Sequence, residues 1–152
     1  DVCSSDLHYE VEFTVRGDDF LAAGEASNQI KETLIMLGVP SPISRRASVI
    51  TYEAEMNLVI HSGGGIIRAA ITPEQLTIQA KDQGPGIPDL EMAMREGFST
   101  ASDRVREMGF GAGMGLPNIK RNADRLEIDS TVGKGTVLTA TIFFKELAGN
   151  GR

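Results

Sequence analysis

Cysteine is almost missing from this chain of 152 residues: the single one, Cys3, excludes an internal disulfide. The two histidines, His8 and His61, complete no zinc pattern with it. No apolar run approaches the roughly eighteen residues that a bilayer-spanning helix requires, and no signal-peptide pattern is present. The expectation is therefore a cytoplasmic location without a membrane partner. Positive charge is in deficit, with 15 Lys and Arg against 21 Asp and Glu for a net charge of −6, which argues against a nucleic-acid-binding surface. The two commonest phosphate motifs are absent as well. Nothing matches G-x-x-x-x-G-K-[ST], and Gly109, Gly111, Gly113 and Gly115 recur at every second residue rather than as G-x-G-x-x-G.

What remains is ordinary in bulk, 41% hydrophobic and 24% charged, and long enough for one domain with a real core. Residues 1–7 (DVCSSDL) fit nothing that follows and read as non-native or disordered, residues 8–145 as the domain, and residues 146–152 as a frayed tail. Glycine is concentrated in two clusters. The first is Asp82-Gln83-Gly84-Pro85-Gly86-Ile87-Pro88; the second runs from Gly109 through Gly111, Ala112, Gly113, Met114 and Gly115 to Leu116. Glycine lets a ligand touch the backbone, at an entropic cost that a purely structural loop avoids. The second cluster opens onto a helical pattern, and the free N–H groups of a helix start attract phosphate. Between the clusters lies a long polar segment, Asp89 to Met108, of the kind that serves as a lid.

Hydrophobic periodicity supplies the frame. Alternation from His8 to Val15 predicts a strand. A helix is expected from an Asp18 N-cap to about Leu37, with Phe20, Ala23, Ile30, Leu34 and Leu37 as its apolar stripe and Gly38 just past its end. A second helix is expected from Ser41 to about His61, with Ile43, Ala47, Ile50, Ala54, Leu58 and His61 as its apolar stripe, followed by strands over 66–71 and 76–80. A short helical piece near Leu90–Arg95, a helix over 116–126, and strands over 125–131 and 136–144 complete the order β-α-α-β-β-lid-α-β-β. An α+β two-layer sandwich, a mixed sheet with the helices on one face, is the economical packing.

Glu53 and Asn57 stand four residues apart and share a helix face at the edge of the apolar stripe. Asn57 offers a neutral oxygen suited to a magnesium ion that keeps its waters and phosphate oxygens. Glu53 could orient or deprotonate an attacking hydroxyl. Glu55, about 160° around the helix from Asn57, is expected to face solvent or a partner. Asp82, at a strand mouth, could accept from an exocyclic amine such as that of adenine.

Glu53-x-x-x-Asn57, Asp82-x-Gly84-x-Gly86 and the Gly109–Leu116 cluster, in that order, resemble the three boxes of the GHKL (Bergerat-fold) ATPases. The segments DQGPGIPD and EGFST are similar to those of anti-sigma and switch kinases of bacterial partner-switching systems. The resemblance implies ATP and Mg2+ as cofactors, Asn57 on the metal, Glu53 as general base and Asp82 on the adenine amine. It also implies that Gly84, Gly86 and Ile87 shape the adenine pocket. Gly109, Gly111, Ala112, Gly113, Met114, Gly115 and Leu116 would present backbone to the phosphates, and Thr136 would support Asp82 through water. The implied function is a serine/threonine protein kinase that phosphorylates a small antagonist protein and sequesters a regulatory partner such as a sigma factor, with a homodimer among the expected assemblies. The alternatives are a non-catalytic ATP-binding module and a fragment of a sensor histidine kinase.

Overall fold

Strands that alternate apolar and polar residues have one face to bury, and here five of them share a single sheet. A computed structural model describes residues 9–87, 89–95 and 115–144. In chain order the elements are β1 (Tyr9–Arg16), α1 (Glu25–Met36), α2 (Ser41–Ile60), β2 (Gly64–Ile71), β3 (Gln75–Asp82), α3 (Leu90–Ala93), α4 (Gly115–Asn122), β4 (Arg125–Thr131) and β5 (Gly135–Phe143). The sheet order is β1-β2-β3-β5-β4. The element order is the expected one, but the expectation of a mixed sheet needs correcting: among the described residues every pairing is antiparallel. Each of β2–β3 and β4–β5 is joined by a tight turn, which permits only antiparallel neighbours. In the first turn the Thr72 hydroxyl accepts from the Glu74 and Gln75 amides.

On the buried face, Phe13 and Val15 of β1, Ile67 and Ala69 of β2, Leu76, Ile78 and Ala80 of β3, and Leu138, Ala140 and Ile142 of β5 meet the helices. The helix α2 lies between α1 and α4 and also touches four strands. It therefore buries far more than the expected stripe, adding Ser44, Thr51, Glu55, Met56 and Val59. A helix enclosed on three sides has a wide buried arc and little polar face.

Local rules placed some ends and missed others. Gly38 (φ +80) follows α1 as foreseen, and its amide donates to the Ile35 carbonyl. Asp18 is not an N-cap. It sits at φ +59 in a turn whose amide donates to the Val59 carbonyl at 2.9 Å, and α1 begins only after Gly24. Leu37, placed on the buried stripe by periodicity, is 47% exposed. The expected helix over 116–126 stops at Asn122, because Arg125 onward pairs with β5. The expected N-terminal segment and tail lie outside the described residues, as does most of the expected lid.

Candidate functional site

The candidate residues gather where the second half of α2 meets the start of α4 and the loop after β3. Glu53 and Asn57 lie on the half-buried flank of α2, and Gly115 opens α4 directly against them. A Cβ at Gly115 would stand 3.3 Å from Asn57 Oδ1 and 3.4 Å from Glu53 Oε1. Two polar side chains thus converge on a helix start, at a position where only glycine leaves their oxygens uncrowded. Pro117 is buried in the first turn of α4, where its missing N–H deprives the helix of nothing. Leu116 packs beside it against the core.

Asp82 closes β3 on the buried face of the sheet. Its register partner on β5 is Thr136, which in turn pairs with Ser130 on β4. Asp82 Oδ1 accepts the Gly84 amide at 2.8 Å, an Asx turn that commits one oxygen to the loop and leaves only Oδ2 for an incoming amine. Ser130 Oγ lies 2.8 Å from Thr136 Oγ1 and accepts the Ile87 amide at 2.7 Å. The Pro85 carbonyl accepts the Gly133 amide, tying this loop to the β4–β5 turn. Gly86 has φ +81, and a Cβ there would approach the Thr131 carbonyl oxygen to 2.6 Å. A side chain at that position is therefore excluded both by conformation and by space. The last turn of α2 links the two groups of residues, since Leu58 Cδ2 and Asp82 Cβ both border Gly65.

Glu53, Asn57 and Gly115 are thus brought together with Leu116 beside them in the chain, and Asp82, Gly84, Gly86, Ile87 and Thr136 form a second group, joined to the first through the end of α2. Gly109, Gly111, Ala112, Gly113 and Met114 lie outside the described residues. The sequence reading missed three participants. Asn118 Nδ2 donates to Glu53 Oε2 at 3.0 Å, Arg121 donates to Asn118 Oδ1 at 2.6 Å, and Ser130 is the hub between Ile87 and Thr136. The position of Asn118, three residues after Gly115, was a readable signal, because i and i+3 share a helix face. Ser130 depends on strand register and was not readable locally.

The expectation for Glu55 is overturned. It points away from Asn57, as the helix geometry requires, but it is 2% exposed rather than solvent-facing. Its two oxygens accept the Ala26 and Ser27 amides at 3.1 and 3.0 Å, so it caps the start of α1. A cavity of about 180 Å³ borders it, lined by Phe13, Val15, Asp19, Ala26 and Val59 among others, and no candidate residue reaches that space. His61 closes α2, its amide donating to the Asn57 carbonyl, and burial lowers its pKa from 6.5.

Comparison with known proteins places the chain in a family. Residues 44–146 match the family described as histidine kinase-, DNA gyrase B-, and HSP90-like ATPase. The chain is 32% identical over 126 residues to the serine/threonine-protein kinase RsbT of Bacillus subtilis, covering 80% of this chain and 86% of that one. It is 39% identical over 94 residues to the anti-sigma F factor of Caldanaerobacter subterraneus, covering 59% of this chain and 62% of the relative. The SiaB–SiaC complex from Pseudomonas aeruginosa contains a chain of the same fold, with a TM-score of 0.57 at 13% identity, covering 87% of this chain and 88% of that one. The family match begins in the first turn of α2 and runs through the Asp82 loop and α4: the chain belongs to the histidine kinase-, DNA gyrase B- and HSP90-like ATPase family.

Proposed function

We propose that this chain is an ATP-dependent serine/threonine protein kinase of the anti-sigma regulatory type, which phosphorylates a small antagonist protein and holds a regulatory partner such as a sigma factor. The observation that carries the proposal is the convergence of Glu53 Oε1 and Asn57 Oδ1 on Gly115 at the start of α4. The likeness to RsbT, a serine/threonine-protein kinase, supports a protein hydroxyl as acceptor, and the likeness to anti-sigma F factors supports a sigma factor as the regulatory partner. In this reading Asp82 Oδ2 takes the adenine amine, and the Gly86 backbone and Ile87 form the base pocket. Ser130 and Thr136 keep the Asp82 loop in place. The N-terminus of α4 attracts the phosphates through its free amides and its dipole. Glu53 accepts the proton of the attacking hydroxyl as the oxygen meets the γ-phosphorus.

Asn57 is the candidate magnesium ligand, and the donor set fits an ion delivered with its nucleotide. Among the described residues no group of three His, Cys, Asp or Glu could cage a metal. One neutral amide oxygen suits an ion that retains water and phosphate ligands, which would neutralise phosphate charge. Transfer of label from γ-labelled ATP to a panel of purified small antagonist-type proteins tests the proposal. Wild type should transfer, and Glu53→Gln should retain ATP affinity while losing roughly 10²–10⁴-fold in rate, the usual contribution of a general base. A wild-type protein that binds ATP and labels no acceptor would make it a binding module instead, and wild-type rates in Glu53→Gln would remove the base assignment.

A further inference from the structure

We infer that Asn118 is a positioning residue for Glu53, holding one carboxylate oxygen so that the other faces the reacting hydroxyl. The inference rests on the kinase reading and assigns work to a side chain that reading leaves idle. A carboxylate base on a helix flank has two equivalent oxygens and a freely turning terminal torsion. Here that freedom is removed. Asn118 Nδ2 donates to Glu53 Oε2 at 3.0 Å, while Oε1 is the oxygen that looks toward Gly115.

The amide orientation is fixed by chemistry as well as by geometry. Glu53 can only accept and Arg121 can only donate. Asn118 lies between them, with Arg121 Nη2 2.6 Å from Oδ1, so its NH2 must face Glu53 and its carbonyl must face Arg121. Asn122 Nδ2 also donates to the Asn118 carbonyl oxygen of the main chain, bracing the same turn. A neutral donor suits this position. It orients the carboxylate while keeping the guanidinium one residue removed, so that Glu53 remains an acceptor and is not locked into an ion pair. The helix that opens on Gly115 thus reaches back, one turn on, to set the base. Seating of α4 and readiness of Glu53 become one event.

Asn118→Ala in the full chain should lower kcat for transfer from γ-labelled ATP to the small acceptor protein that wild type labels by roughly 10–100-fold, the scale of a misplaced catalytic group. KM for ATP and the calorimetric ATP affinity should stay within about twofold. In a Glu53→Gln background the same substitution should cost nothing more, because the oxygen it orients is gone. Asn118→Asp matches the shape and keeps an acceptor for Arg121 but loses the donor. It should show the same kcat defect, and it stands in if the alanine variant does not fold. Wild-type kcat in Asn118→Asp, a defect carried wholly by ATP affinity, or full additivity with Glu53→Gln would overturn the inference. If Glu53→Gln is inactive while both Asn118 variants turn over normally, only the positioning role falls. If wild type transfers nothing, the kinase reading falls and this inference with it.

Discussion

Replacing Glu55 should damage the fold while leaving the nucleotide site intact. The helix α1 starts after Gly24 with no side-chain cap of its own, and its buried first-turn amides at Ala26 and Ser27 are satisfied by Glu55 from α2. Truncation to alanine strands two amides, at about 1–3 kcal/mol each, and removes a charge favourable to the helix dipole, worth about 0.3–1 kcal/mol. The bordering cavity of about 180 Å³ gives water a route to those amides, which moderates the loss. The lower half of the range is therefore expected, about 2–4 kcal/mol for Glu55→Ala. In a domain of this size that corresponds to a drop of about 5–15 °C in Tm. Glu55→Gln keeps one acceptor oxygen and should cost about 1–2 kcal/mol. Urea denaturation followed by far-UV circular dichroism gives both values, with the slope checked for constancy. ATP affinity of the folded fraction should not change. An alanine variant within about 0.5 kcal/mol of wild type would refute the capping role, and so would a glutamine variant as damaged as the alanine one.

Gly115→Ala should raise helix stability, by at most about 1 kcal/mol, since the position has ordinary helical geometry. It should weaken ATP–Mg affinity and transfer, because its Cβ presses on Asn57 and Glu53; melting and calorimetry on one preparation expose the opposed signs. For His61, burial lowers the folded-state pKa below the unfolded value of 6.5. The unfolded chain therefore binds the proton first as pH falls, so this contribution to stability is complete above about pH 6.5 and is lost below it, down to the folded pKa. His61→Gln should flatten that part of a stability–pH curve, measured by urea midpoints from neutral to mildly acidic pH.

Much of this site is written in short-range spacing. Glu53 and Asn57 share a flank because four residues complete a turn, and the Asp82–Gly86 loop is spelled in turn residues. Gly38 marks the end of α1 for the same local reason. What could not be read depends on distant partners. Asp18 looked like a helix cap, yet the true cap of α1 is Glu55, 29 residues beyond Ala26. Glu55 itself looked like a surface residue, because a charged side chain is seldom buried unless something far away satisfies it. Ser130 reaches Ile87 across 43 residues, through a register that only the folded sheet defines. The buried arc of α2 was underestimated because enclosure by α1, α4 and the sheet is a tertiary fact.

The central claim is that the site formed by α2, the Asp82 loop and α4 takes ATP with magnesium, and titration calorimetry tests it most directly. Wild-type protein should bind ATP–Mg at one site, and at about 100-fold excess over Kd the ligand should stabilise the fold by about 2.7 kcal/mol. Asp82→Asn, whose amide nitrogen competes for the place of Oδ2, should lose that binding while Glu53→Gln keeps it. Equal ATP affinity in wild type and Asp82→Asn, or no heat and no stabilisation with folded wild-type protein in millimolar ATP–Mg, would contradict the account.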